Sequence, residues 1–255
     1  MLPAQRQQAI LAQVRAQGAA SAVELSRRLG VSAETVRRDL RALRDQGLLN
    51  RVHGGATAAA RLSGETSFAA RATLNLAAKQ AIAALAAALV GDEETIVIDT
   101  GTTALALARA LPASFRGRVL TNSVPVAAEL SARGDIELLL AGGEIRPGDG
   151  ACFGTQAEAF FAGFYPAKAF LGAGGVHPEA GLTDYYPAEV AIRQTILARS
   201  AQAYVLADAS KLGVIAPCLL CPLDQLTAVI TDDDRSPAPP GVTLLRAGSS
   251  DPEPG

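Results

Sequence analysis

Between residues 95 and 231, apolar runs of strand length alternate with helical stretches, and this alternation constrains the fold more than any other feature of the chain. The runs are 95–99 (TIVID), 118–121, 136–141 (IELLLA), 168–172, 203–207 and 227–231, with helices expected at about 103–110, 124–132, 155–161 and 187–199. Strands that alternate with helices build βαβ units, so an α/β domain with a mostly parallel sheet is expected. The run from Val242 to Arg246 fits an added edge strand, and an Ala-rich helical pattern runs unbroken from Phe68 to Val90. No internal repeat is visible.

Composition excludes several classes. With 49% hydrophobic and 19% charged residues the chain is too apolar to be disordered. It does not follow that it enters a membrane, because the longest uninterrupted apolar run, Ala81 to Val90, has ten residues and a span needs about 20. The N-terminal stretch MLPAQRQQAILAQVRAQ mixes apolar and polar residues and offers no signal-peptide core. Three cysteines cannot form a secreted disulfide framework, so a cytoplasmic protein is expected. A chain of 255 residues suits one or two domains.

Charge is unevenly spread. Residues 1–57 hold nine arginines and four acids, a net +5, whereas residues 58–255 hold 14 bases and 21 acids, a net −7. A small basic head on a larger acidic body is expected where only the head meets a polyanion. Within that head, residues 3–17 read as a first helix with Ile10, Leu11 and Val14 on one face. Ser21-Ala-Val-Glu24 is a capping box opening a second helix, in which Ala22, Leu25 and Leu29 share a face. Gly30-Val31 forms a short turn, and Ser32 caps a third helix to about Asp45. Two helices joined by a short Gly-containing turn are the helix-turn-helix signature.

At 100° per residue, Leu40 and Leu43 of the third helix fall within about 40° of Val36, and the three form a buried stripe. Glu34, Arg38 and Arg41 lie opposite, with Arg37 and Arg44 on one flank and Thr35 on the other. Such a helix suits a major groove, where arginine pairs two acceptors of guanine. Leu48 to Thr57, with apolar residues at 48, 49 and 52 before a Gly-Gly turn, reads as a β-hairpin wing carrying Arg51 and His53 toward the backbone or minor groove. The DNA-facing residues expected are Ser32, Glu34, Thr35, Arg37, Arg38, Arg41, Arg51 and His53. No second His or Cys lies near His53, so no metal site is expected there.

Val31-Ser-Ala-Glu-Thr-Val-Arg-Arg-Asp-Leu40, followed by Gly47-Leu-Leu-Asn-Arg-Val-His-Gly-Gly-Ala56, resembles the DNA-binding domain of DeoR-type bacterial transcriptional regulators. The rest of the chain, apart from a C-terminal tail, resembles the sensor domain of that family. The organisation expected is a winged helix-turn-helix at 3–58, a linker and sensor start at 59–74, a sensor at 75–232 and a largely solvated tail at 233–255.

In open α/β sheets ligands collect at the carboxyl ends of strands, and here those ends are polar. The run 95–99 leads into Thr100-Gly-Thr-Thr103 and then a helix, a turn that offers amides and a dipole end to a phosphate. The other ends read Thr121-Asn122-Ser123, Gly142-Gly143-Glu144 and Asp208-Ala-Ser-Lys211. The resemblance implies a fold related to ribose-5-phosphate isomerase that answers to a phosphorylated sugar or related metabolite. It further implies that Asp99, Gly101, Thr102 and Thr103 hold the phosphate end, with Asn122, Gly142, Gly143 and Lys211 completing the pocket. Gly181-Leu-Thr183 with Glu189 matches the family's later motif. One departure is that Ala167 precedes Lys168-Ala-Phe-Leu-Gly172 where the family usually has Asp, a ligand-orienting or a structural position.

Cys218-Leu-Leu-Cys221 lacks the second pair that a zinc ribbon needs and reads as structural, with a redox switch as the other reading. His177 beside Pro178 reads as a solvated loop residue. Arg71 and Lys79 share a helical face, either packing along it or lending charge to the site. The function expected is a sequence-specific regulator, a repressor of a carbohydrate or related operon released by a phosphorylated metabolite. It has operator DNA as partner, no cofactor, no metal, no membrane, and a homodimer or larger assembly. The alternative is an isomerase-like enzyme with a DNA-binding head. Its base would be Glu144, Glu189 or Asp99, although the isomerase's Asp-x-x-Asp and Lys-Gly-Gly-Gly segments are not visible.

Overall fold

The computed structural model describes residues 6, 7, 9, 10, 13, 19–45, 49–52, 55–58, 66–234 and 237–248. The chain forms two compact units, residues 1–71 and 72–255. In the first, Ser21 Oγ accepts from Glu24 N at 3.1 Å while Glu24 Oε2 accepts from Ser21 N at 2.9 Å, so the capping box opens helix Ala22–Leu29. That helix ends at Gly30 with φ +65°, a conformation that costs glycine little. Ser32 Oγ accepts from Thr35 N at 3.1 Å ahead of helix Ala33–Asp45.

Val36, Leu40 and Leu43 are buried with Ile10, Ala20, Ala22 and Leu25, as the angular pattern requires. Beside them, at about −60° on the same wheel, Asp39 is also buried, accepting from Arg6 Nε at 2.5 Å. The hairpin wing is present as antiparallel strands β2 (Leu49–Val52) and β3 (Gly55–Ala58). Strand β1 (Ala19–Ser21), absent from the sequence reading, pairs with β3 and makes the sheet three-stranded in the order β1-β3-β2.

The second unit is built on a seven-stranded sheet. Its strands are β4 (Thr95–Ile98), β5 (Arg118–Thr121), β6 (Glu137–Leu140), β9 (Lys168–Leu171), β12 (Gln202–Leu206), β14 (Ala228–Thr231) and β15 (Thr243–Arg246). The order is β15-β14-β12-β9-β4-β5-β6 and every neighbouring pair is parallel. Each strand expected from the sequence is there, including the edge strand at 243–246. Alternate residues serve opposite faces. Ile96, Ile98 and Phe170 pack beneath helices Leu76–Ala88 and Thr102–Ala110. Val97, Ala169 and Leu171 pack against helices Thr155–Ala162 and Pro187–Arg199 on the other side. Burial on both faces is why the runs read as continuously apolar.

Three features differ from expectation. The 68–90 helix is two helices, Phe68–Thr73 and Leu76–Ala88, broken where Asn75 takes φ +53°. Asn tolerates that region, and Lys79 Nζ donates to the freed Leu74 carbonyl at 2.7 Å. A small antiparallel sheet of β10 (Gly175–His177), β11 (Gly181–Asp184) and β13 (Cys218–Cys221) covers part of the second face. Within it His177 is not merely solvated: its Nδ1 accepts from the amides of Glu179 and Ala180, each at 3.2 Å, closing the β10–β11 turn. Cys218 and Cys221 lie three residues apart along one extended strand. That spacing is about 10 Å, beyond the reach of a disulfide. Burial pushes the Cys221 thiol up to about 11, and no disulfide can join the two cysteines along this strand.

Candidate functional site

On helix Ala33–Asp45, Ser32, Glu34, Arg37, Arg38 and Arg41 are exposed and Thr35 is half-buried. Glu34 accepts from Arg37 Nη1 at 3.1 Å and from Arg41 Nη2 at 2.9 Å, so one acid orients two arginines. Among the described residues Arg38 makes no ion pair, unlike Arg37 and Arg41 on the same face. Arg51 lies on β2, its side chain outside the described residues, and His53 lies outside them altogether.

In the second unit, parallel strands bring their carboxyl ends to one edge. Gly101, with φ +117°, caps helix Thr102–Ala110 with no side chain bonded over its first amides. A Cβ at Gly101 would meet nothing within 4 Å, so the glycine is required by its backbone angle and faces open space. Thr102 and Thr103 are half-buried at this turn. Unpaired amides, a positive dipole end and two hydroxyls suit an anion. Helix Val124–Leu130 instead satisfies its own start, with Ser123 Oγ accepting from Val126 N at 3.3 Å.

Asn122, at the end of β5, is buried and donates from Nδ2 to the Cys152 carbonyl at 3.3 Å. Among the described residues its Oδ1 is the only buried side-chain polar atom without a partner, which marks it as an acceptor awaiting a donor. Gly142 and Gly143 follow β6 and are exposed. At Gly143 a Cβ would stand 2.1 Å from the Phe153 carbonyl, so this glycine serves the close pairing of β7 (Glu144–Ile145) with β8 (Cys152–Phe153). Lys211 is half-buried in the turn Ala209–Lys211, its Nζ 5.8 Å from the centre of the Tyr185 ring.

Asp99 is placed differently from expectation. Its Oδ2 accepts from the Gly172 amide at 2.9 Å and from Arg193 Nε at 2.6 Å, and it is 1% exposed. Arg193 is the hub of a buried cluster: it also pairs with Asp184, with Glu189 at 3.0 Å, and with Thr100 Oγ1 at 3.4 Å. Glu189 pairs in turn with Arg146, which pairs with Asp149 and lies over the rings of Phe153 and Tyr186 at 4.7 and 4.1 Å. Burial, and then the charge of Asp184, push the Glu189 carboxyl up to about 7 against the pull of both arginines. Burial pushes the Asp184 carboxyl up, but the Arg193 charge together with hydrogen bonds from Glu189 and the Tyr185 and Tyr186 amides holds it below the usual carboxylate range. Sequence reasoning missed Arg193, Asp184, Arg146 and Asp149. The Glu189/Arg193 spacing of four residues was visible but reads as an ordinary helix pair.

Ala167 stands before β9, at the opposite edge of the sheet from the polar strand ends. A four-residue strand spans about 13 Å, which puts the departure from the family's Asp out of reach of that edge. Lys79 and Thr102 line a cleft of about 260 Å³ between helices Leu76–Ala88 and Thr102–Ala110, with Leu76, Gln80, Leu105 and Arg109. Thr102 alone among the predicted residues lies on its walls. The cleft runs beside the helices, whereas the groups suited to an anion stand at the strand ends. Arg71 donates to the Thr66 carbonyl at 3.1 Å.

Residues 6–61 match the DeoR-like helix-turn-helix domain and residues 74–233 the DeoR C-terminal sensor domain. The chain is 33% identical over 233 residues to the HTH-type transcriptional regulator GolR of Listeria innocua, covering 91% of this chain and 92% of that one. It is 33% identical over 246 residues to the glycerol-3-phosphate regulon repressor of Escherichia coli, covering 96% and 95%. It is also similar to ribose 5-phosphate isomerase A of Methanocaldococcus jannaschii, with a TM-score of 0.39, 20% identity, and 52% and 53% of the two chains covered. From its arginine-faced third helix to the polar edge of its parallel sheet, the chain belongs to the DeoR family of helix-turn-helix transcriptional regulators.

Proposed function

We propose that the protein represses a carbohydrate or related metabolic operon and leaves its operator when a phosphorylated sugar or similar metabolite binds the sensor. The observation that carries this reading is the glycine-capped, otherwise uncapped start of helix Thr102–Ala110 at the end of β4. The phosphate sits on the amides and hydroxyls of Gly101, Thr102 and Thr103. Asn122 accepts from a ligand hydroxyl, and Gly142, Gly143 and Lys211 close the site. Asp99 does not touch the ligand; it acts from behind the loop. In the head, Ser32, Thr35 and Arg38 meet the major groove, Arg37 and Arg41 are oriented by Glu34, and Arg51 and His53 reach the backbone. The head spans 3–58 and the sensor begins at 75, joined through 59–74; the expected end at 232 is too early, because β15 carries the sensor sheet on to Arg246.

One recognition helix covers too few base pairs for a unique site, so the protein binds as a homodimer or larger assembly on repeated half-sites. It acts in the compartment that holds the DNA, and no described helix is long and apolar enough to cross a membrane. The enzyme reading is not favoured. The relatives are named as regulators, and two of the three candidate bases, Asp99 and Glu189, are tied to guanidinium groups, leaving exposed Glu144.

A panel of phosphorylated sugars and polyols, with glycerol 3-phosphate included on the strength of the second relative, tests this by melting-temperature shift and by operator release in fluorescence anisotropy. Coupling of the usual size weakens operator binding by about 5–150-fold, and operator DNA weakens effector binding by the same factor. Thr102→Asp should abolish the response and spare operator binding. A normal response from Thr102→Asp moves the phosphate elsewhere.

A further inference from the structure

A buried arginine rarely meets three carboxylates without a task, and Arg193 meets Asp99, Asp184 and Glu189 while itself only 4% exposed. Its contacts converge on the segment just before the anion-binding turn. Nε holds Asp99, Nη2 reaches Thr100 Oγ1, and Asp99 Oδ2 also takes the Gly172 amide. A side chain at Gly172 would be tight: its Cβ would stand 3.1 Å from the Thr100 carbonyl and 3.2 Å from Arg193 Nη2, so one of them would have to give way by a few tenths of an ångström. Asp99 and Thr100 are thus clamped between the end of β9 and helix Pro187–Arg199, and Gly101 follows at once. The same cluster continues through Glu189 to Arg146 and Asp149, and the Gly150 carbonyl after it accepts from Val124 N, two residues past Asn122.

We propose that Arg193 is a positioning residue for the effector: through Asp99 and Thr100 it fixes the Gly101–Thr103 turn in its anion-accepting form. It does not touch the ligand. The fork of a guanidinium matters here, because one group must hold Asp99, Asp184 and Thr100 in three directions, which a lysine ammonium on a flexible stem does less well. This rests on the phosphate lying at Gly101–Thr103.

The test measures the affinity of the full-length protein for inorganic phosphate and glycerol 3-phosphate, by ³¹P line broadening and calorimetry, well below each variant's melting temperature. Arg193→Lys should weaken binding of both by about tenfold, the scale seen when an outer partner of an ion's ligand is removed. Asp99→Asn should do the same, and the double variant should be no weaker than the worse single, since the two act as one clamp. Lys168→Met breaks the Lys168–Glu94 pair at the opposite edge of the sheet and should leave both affinities unchanged even where it lowers the melting temperature. Should Arg193→Lys fail to fold, Asp99→Asn, which leaves Arg193 its other partners, carries the same expectation. Wild-type affinity in Arg193→Lys or Asp99→Asn, beside a Thr102→Asp variant that has lost binding, overturns the proposal and leaves the site standing. Wild-type affinity in Thr102→Asp overturns the site, and the positioning role with it.

Discussion

The head and the sensor both depend on arginines, and they use them in opposite ways. In the head, Arg37, Arg38 and Arg41 stand in solvent on one helix face, with Glu34 as a loose partner to two of them. Among the described arginines of the head, Arg6 alone is buried, paired with Asp39. In the sensor, Arg193 and Arg146 are drawn into a cluster of four carboxylates that joins the segment before the β4 turn to helix Pro187–Arg199 and to the β7–β8 hairpin. Exposed guanidinium groups keep their hydration and stay available to a phosphate or a base. Buried ones have exchanged water for fixed partners, and their contribution is geometry rather than charge offered outward.

The largest expected effect falls on the buried pair of the head. Asp39→Ala removes the Arg6–Asp39 ion pair and should be the most destabilising of these changes, read as an early unfolding transition and lost operator binding. Replacing both partners with Met and Leu should recover much of that loss. If Asp39→Ala is neutral, burial does not separate the two kinds of arginine.

Next comes the sensor's surplus carboxylate. Glu189 titrates at about 7 in the folded chain against an ordinary 4.5, so the folded state retains a proton that the unfolded state gives up. Its contribution is complete below the ordinary value and is lost as pH rises through 7, by at most about 3 kcal/mol. Asp184 is shifted downward from 3.8, and its contribution fades only as pH falls below that range, outside this window. Glu189→Gln should therefore gain melting temperature relative to the wild type between pH 5 and 8. A constant difference across that range means Glu189 is ionised throughout.

Arg38→Ala should cost about 1–3 kcal/mol on the operator and flatten its preference over random DNA. Equal weakening on both reassigns Arg38 to a phosphate. The smallest effect sharpens the contrast: Glu34→Ala breaks two ion pairs, yet both are exposed and the change in stability should stay below about 1 kcal/mol. A loss on the scale of Asp39→Ala would show that exposure is not what distinguishes these pairs.

What could be read from the sequence was local. A strand at 95–98 and a helix at 33–45 announce themselves because an apolar run of strand length and a period of 3.6 residues both act over a few neighbours. The capping box at Ser21 and the Gly101 turn are likewise complete within four residues. Parallel pairing follows from the alternation of strands and helices, and with it the gathering of Thr102, Asn122 and Gly142 at one edge. What the tertiary structure alone decided are the pairings between distant charged groups. Asp39 looks like one more solvated acid until Arg6, 33 residues away, is seen beside it. Asp99 looks like a ligand group until Arg193, 94 residues on, takes its oxygen. The β10-β11-β13 sheet likewise depends on a remote partner, a strand 34 residues or more further along for β11. A buried charge has no sequence period of its own, because its position is set by whichever opposite charge the fold carries to it.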